Sequence, residues 1–313
     1  MIIVDVHTHF IPRELIGFGG TRLEAGQVIH REGRRYPLHP SFYDVKARLR
    51  SMDDRRIDHA IVSVAPSFFM YGETGEASFS TKVNDALAEH VASDPGRLTA
   101  VATLPMREPE AAAAELERAV TELRMRGAQI GPQIEGEPLD LPKFRPVLAA
   151  AERLGVPLIL HPYDVSGQDD FYLTNLVGYP LATVTSAARL IFSGTLDELP
   201  SLRLVLTHGG GYLPYQIGRL DHGHLVRPET AGSKLPPSSY LDRFSYDTIT
   251  HAPAPLRFLV DTVGAGRVMF GTDYPFDMAA GPLADQLAGT ALSPEAISRI
   301  AGRNALREFG IAP

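Results

Sequence analysis

The segment Ile2-Ile3-Val4-Asp5-Val6-His7-Thr8-His9 decides how this chain is read, because a short β-branched run passes directly into a His-x-His pair. Residues two apart on an extended chain point to the same side, so His7 and His9 can share a ligand, whereas on a helix they would lie roughly 200° apart. Residues 2–6 are therefore predicted to form a strand that delivers two imidazoles at its C-terminal end.

Beyond this segment, short β-branched runs alternate with longer segments of helical period, the pattern of repeated βα units around a parallel sheet. The further runs are residues 60–64, 98–104, 128–130, 157–160, 203–207, 245–247 and 267–271. With the first they make eight, the number that closes a (β/α)8 TIM barrel, and one such α/β domain over residues 1–313 uses up the chain length. Residues 11–41 follow neither period and are expected to be a small insertion after strand 1 that helps cover the mouth. The spacing predicts a helix over 110–126, with Leu116, Val120 and Leu123 on one face and Gly127 ending it. A last helix is predicted from Ser293 as N-cap and Pro294 at the first helical position. Residues 223–239, rich in Gly, Pro and Ser, are expected to be a loop.

Composition narrows the function classes. Apolar residues make up 44% and charged residues 21% of 313, as in a folded soluble protein with no membrane span. The formal charge of −7 argues against nucleic acid, since the one basic cluster (Arg48, Arg50, Arg55, Arg56) is broken by Asp53, Asp54 and Asp58. There are no cysteines, so any metal must bind through histidine and carboxylate. The start MIIVDVHTHF has no basic stretch before a long apolar run, so cytoplasmic residence is the expectation.

Three more polar residues follow apolar runs as His7 does: His161, His208 and Asp273. In a parallel barrel the C-terminal strand ends form the catalytic face, so the four strand ends converge on one site. Imidazoles with one carboxylate suit Zn²⁺, with Mn²⁺ as the alternative, and a catalytic site keeps a position open for water or substrate. His7, His9, His161 and Asp273 are assigned to the metal, and His208 is the acid/base or the group that orients a bound water. A second ion would need a bridging group, and Gln129-Ile130-Gly131 at the fourth strand end supplies none, so one divalent metal is expected.

The set of His-x-His on strand one, His on strands five and six and Asp on strand eight resembles the amidohydrolase superfamily. Within it, His161-Pro162-Tyr163-Asp164, Thr207-His208-Gly209-Gly210-Gly211, Gly218-Arg219-Leu220-Asp221 and Gly271-Thr272-Asp273-Tyr274-Pro275-Phe276 are similar to the aminocarboxymuconate-semialdehyde decarboxylase branch. The resemblance implies nonoxidative decarboxylation of a small unsaturated or aromatic carboxylate, with metal-dependent hydrolysis or hydration of a carboxylate, lactone or amide as the alternative. Arg48 and Arg219 occupy positions matching arginines of the branch, and a guanidinium can grip a carboxylate through two parallel hydrogen bonds. The resemblance also implies a homodimer in which Arg219 reaches the neighbouring subunit's site. The chain has no tryptophan, and Tyr163 stands where the decarboxylases commonly carry one, so the pocket is expected to differ; Tyr163, Phe68 with Phe69 and Tyr71 after the second strand, and Phe276 after the eighth are the candidate pocket residues. The other histidines are read as structural, His251 being nearest to an exception.

Overall fold

The computed structural model describes residues 1–30, 35–163 and 170–312. Eight parallel strands follow in chain order: β1 (Val4–Phe10), β2 (His59–Val64), β3 in two segments (Leu98–Ala100 and Ala102–Thr103), β4 (Ala128–Ile130), β5 (Leu158–Leu160), β6 (Leu204–Leu206), β7 (Phe244–Asp247) and β8 (Val268–Met269). Each pairs with its neighbour in sequence, from Val4 beside His59 to Tyr246 beside Val268. The ring continues from the end of β8 back to β1, where Val6 N–H donates to the Phe270 carbonyl (2.9 Å), Asp273 N–H to His7 (2.8 Å) and His9 N–H to Tyr274 (2.9 Å). The fold is the expected TIM barrel, and no helix among the described residues is long and apolar enough to cross a membrane.

Alternation along the strands sorts the apolar residues into two shells. Val4, Val6, Ile61, Val101, Ile159, Val205 and Met269 form the inner one, closed by Ala305 and Phe309 of the last helix. Their strand neighbours, such as Val62, Leu160 and Leu206, belong to the outer shell with the helix residues Leu116, Leu148 and Leu190. Strands buried on both faces read as continuous apolar runs, which is why they were visible in the sequence.

The first strand breaks the alternation where the chemistry begins. Its register against β2 slips between Asp5 and Thr8. Strict alternation would place Val4, Val6 and Thr8 on one side, yet Val4 and Val6 join the inner shell while the Thr8 hydroxyl bonds the Ile61 carbonyl (2.9 Å) and receives Arg48 (3.1 Å) from the helix side. The bulge exchanges the two faces, so His7 and His9 now point inward. They lie within β1, which runs to Phe10 and past the expected end at Val6.

Other boundaries also move. The helix Pro109–Thr121 stops short of residue 126, and Arg124 beyond it takes a left-handed backbone (φ 59°). Ser293 caps the last helix as expected, its hydroxyl accepting from Ala296 N–H (3.2 Å). The helix Leu213–Val226 runs into the expected loop at 223–239 and ends just before Pro228, which disfavours helical backbone at the residue preceding it. The insertion at 11–41 is more ordered than expected, with Arg22–Glu24, Gln27–Ile29 and Arg35–Pro37 forming an antiparallel sheet. Its first turn, Ala25-Gly26, has positive φ at both residues, a hairpin geometry that Asn-Gly usually announces. Residues 31–34 of the insertion and Asp164 lie outside the described residues.

Candidate metal centre

His7, His9, His161 and Asp273 each offer a ligand atom, and these four atoms lie within 4.8 Å of one another in a buried cluster. Asp273 Oδ1 is 2.8 Å from His9 Nε2 and 3.4 Å from His7 Nε2. Donors about 2.1 Å from a shared ion stand about 3 to 4 Å apart, so one cation would draw the widest-spaced of these atoms slightly together. Nε2 of His7 and of His161 is buried with no hydrogen-bond partner, which is costly unless an ion occupies the point they face.

The opposite ring nitrogens are already engaged. His7 Nδ1 lies 2.8 Å from Asp247 Oδ2, and His161 Nδ1 lies 2.8 Å from the Pro162 carbonyl. His9 Nδ1 is near Ser63 Oγ (3.3 Å) and the Val64 carbonyl (3.4 Å). A proton held at Nδ1 leaves Nε2 as the lone-pair donor, the tautomer a metal ligand requires. Asp5 joins β1 to the segment before Asp273, because its carboxylate accepts from His7 N–H (3.1 Å), Thr272 N–H (3.1 Å) and the Thr272 hydroxyl (2.6 Å).

Charge within the cluster is balanced by proximity. Burial pushes the Asp273 carboxyl up, but the His7 charge and the proximity of the His208 and His9 rings outweigh it and hold it well below the usual carboxylate range. Burial, then the charges of His7, His208 and His9, drags His161 well below the ordinary imidazole value and keeps it neutral. Burial also lowers His9. For His7 burial acts downward, yet Asp273 and Asp247 raise it on balance. Asp5 is pushed up to about 6 by burial, against the opposing effect of its hydrogen bonds.

His208 stands beside the cluster, its ring centroid 5.1 Å from His161 and 5.4 Å from His7, with Nε2 3.7 Å from Asp273 Oδ2. Phe276 lies over His9 with ring centroids 5.1 Å apart, and Tyr36 of the insertion packs against Phe276 at 5.2 Å. Tyr163 packs edge-on against Phe69 and Tyr71 above the end of β4, where Gly131 leaves room for its ring. A groove of about 570 Å³ opens at His208 and runs between Tyr179, Ile249 and Met278 toward Tyr215 and Phe258.

Several expected residues lie elsewhere. Phe68 is fully buried in the outer shell, stacked near Phe79, and does not line the mouth. Arg48 is 1% exposed and directs its guanidinium to Thr8 Oγ1, the His9 carbonyl and His90 Nε2 rather than to the mouth. A helix on the outer side of β1 can reach the back of that strand, so this arginine supports the ligand strand. Arg219 is exposed on the helix Leu213–Val226, outside the cluster. Gln129 is occupied with Ser63 and the Val64 carbonyl. Asp247, behind His7, is not among the expected residues, whereas His251, the nearest to an exception among the other histidines, lines the groove.

Comparison with known proteins agrees with this geometry. The amidohydrolase family profile matches residues 4–311. The 2-amino-3-carboxymuconate-6-semialdehyde decarboxylase of Dictyostelium discoideum is 30% identical over 99% of this chain and 92% of its own length. The gamma-resorcylate decarboxylase of Rhizobium sp. (strain MTP-10005) is 35% identical over 74% of this chain and 76% of its own. The crystal structure of dihydroxybenzoic acid decarboxylase from Polaromonas sp. JS666, with bound manganese and the inhibitor 2-nitroresorcinol, superposes with a TM-score of 0.79 at 25% identity, covering 99% of this chain and 97% of that one. A barrel whose strand ends gather three histidines and an aspartate, matched to one family from its first strand to its last helix, leaves one assignment: the chain belongs to the amidohydrolase family.

Proposed function

We propose that this chain is a metal-dependent nonoxidative decarboxylase of a small aromatic or unsaturated carboxylate, with one divalent metal held by His7, His9, His161 and Asp273. The observation that carries the reading is the pair of orphaned Nε2 atoms of His7 and His161, converging with Asp273 beside His208. The named decarboxylases among its relatives supply the reaction class.

The metal, when bound, supplies an electrophile that draws electron density from a substrate oxygen. The chain's own residues do the rest. The bond between the ring carbon and the carboxylate breaks, its electron pair remains on carbon and takes a proton, and carbon dioxide leaves. His208, which opens onto the groove, is the group that holds and delivers that proton, and the Asp273 carboxylate 3.7 Å from its Nε2 orients it. Phe276 over His9 and the apolar groove wall seat the ring and exclude water, and Tyr163 borders the site from the β5 side.

A ligand set of three imidazoles and one carboxylate favours Zn²⁺, while the manganese of the Polaromonas enzyme makes Mn²⁺ the rival occupant. Arg219, exposed and outside its own cluster, is assigned to the site of a second copy in a homodimer.

The test is carbon dioxide release from a panel of hydroxybenzoates and unsaturated carboxylates, with metal-loaded and chelated protein side by side. Metal-dependent release is expected. No release from an intact, loaded sample, together with turnover of esters, lactones or amides, would replace decarboxylation with hydrolysis.

A further inference from the structure

Asp247 ends β7 and is 1% exposed, and each of its carboxylate oxygens accepts two hydrogen bonds. Oδ2 faces His7 Nδ1 (2.8 Å) and receives the backbone N–H of His208 (3.0 Å). Oδ1 receives the backbone N–H groups of Gly209 (2.8 Å) and Ile249 (3.1 Å). One side chain therefore touches a residue of the metal cluster and the backbone of the turn that carries His208.

That turn needs holding. His208 has left-handed backbone (φ 55°), a conformation non-glycine residues avoid, and Gly209, Gly210 and Gly211 after it also have positive φ. The His208 ring offers little anchorage of its own, because its Nδ1 is buried without a hydrogen-bond partner. The direction of the imidazole is thus inherited from its backbone, and that backbone is fixed by Asp247.

We propose that Asp247 is a positioning residue that sets two things at once: the Nδ1–H tautomer of His7, which frees Nε2 for the metal, and the placement of His208 for proton transfer. The inference rests on the reading of His7 as a ligand and His208 as the acid/base.

Asp247→Asn separates the two oxygens. Its amide oxygen can keep accepting from Gly209 and Ile249, while an NH2 group replaces Oδ2 and presents a donor to His7 Nδ1 and to the His208 N–H. His7 must then carry its proton on Nε2, and the His208 backbone must retreat from a facing donor. In metal-free D247N, ¹⁵N-resolved NMR of the histidine rings is expected to show His7 switched to the Nε2–H form. Competition with a chelating dye is expected to show metal affinity lowered about 10- to 100-fold, the range for losing an outer partner of a ligating histidine. At saturating metal, kcat is expected to stay at least about tenfold down while KM changes little, the signature of a displaced proton-transfer group.

Should D247N fail to fold, Asp247→Ser leaves room for water at the backbone amides and is read by the same three measurements. His7 remaining Nδ1–H with affinity within twofold of the unsubstituted protein would overturn the first half of the proposal. Full recovery of kcat at saturating metal would overturn the second. The tautomer and affinity measurements need no substrate, so failure of the decarboxylase reading would leave them standing as a separate result.

Discussion

Arg48 donates to the carbonyl oxygen of His9 from the helix side of β1, while the His9 imidazole faces the cluster on the other side of the same strand. The guanidinium also bonds Thr8 Oγ1, so it grips the strand just past the slip that turns His7 and His9 inward. Arg48→Met should therefore act on stability and metal content together. It leaves a buried carbonyl and a buried hydroxyl without this donor, at about 1–3 kcal/mol each, which a lowered Tm reads directly. Arg48→Lys should not rescue it, because an ammonium cannot span the same acceptors. A raised KM with unchanged Tm would instead mean that Arg48 binds substrate.

The ligands and the acid/base should separate in mutants. His161→Ala should lower metal affinity by more than about 100-fold, beyond the loss typical of an outer partner. His208→Ala should keep the metal and lose about 10²- to 10⁴-fold in kcat, the usual contribution of a general acid or base. Bound metal measured on each purified variant checks the assignment, and full occupancy in His161→Ala would contradict it.

Acid should weaken the fold through His90. This ring accepts from Arg48 Nε–H at Nε2 (3.3 Å), so it must be neutral there, and burial followed by the Arg48 charge lowers it to about 3. A histidine with a depressed folded-state value contributes its stability in full above about 6.5, the unfolded value, and loses it as pH falls toward 3. The drop in Tm between pH 7 and pH 5 should be smaller in His90→Gln, whose amide oxygen can still accept from Arg48. An equal drop in both proteins would assign the acid sensitivity elsewhere.

The shared-site reading of Arg219 predicts complementation. Mixing inactive Arg219→Ala with inactive Asp273→Asn subunits should restore about a quarter of the activity if subunits exchange at random into dimers, because half the dimers are mixed and one of their two sites is intact. No recovery after mass spectrometry has shown exchange would place Arg219 outside the neighbouring site.

Much of the molecule was legible because a parallel barrel buries both faces of its strands, and eight apolar runs announce themselves. The cluster was legible for a related reason: His161, His208 and Asp273 each follow such a run. The same rule marks Asp247, but as the last residue of the strand itself it sits inside the run 245–247 rather than after it. The bulge in β1 has no local signature, since Val4, Val6, His7 and His9 read as ordinary alternation until the partner strand shows the slip. The buried placements of Arg48 and Phe68 are not legible, because sequence position gives distance along the chain but not the side of the strand a helix or loop approaches. Phe276, by contrast, is half-buried beside His9 and packs against Tyr36 and Phe42.

The most direct test of the account is titration of metal-free protein with Zn²⁺ or Mn²⁺ while carbon dioxide release is followed from the aromatic carboxylate of the panel that the loaded protein turns over fastest. The account predicts no release without metal and a rate that rises to its plateau at one equivalent per chain. Undiminished release from the metal-free protein, or a rate that keeps rising to two equivalents, would contradict it.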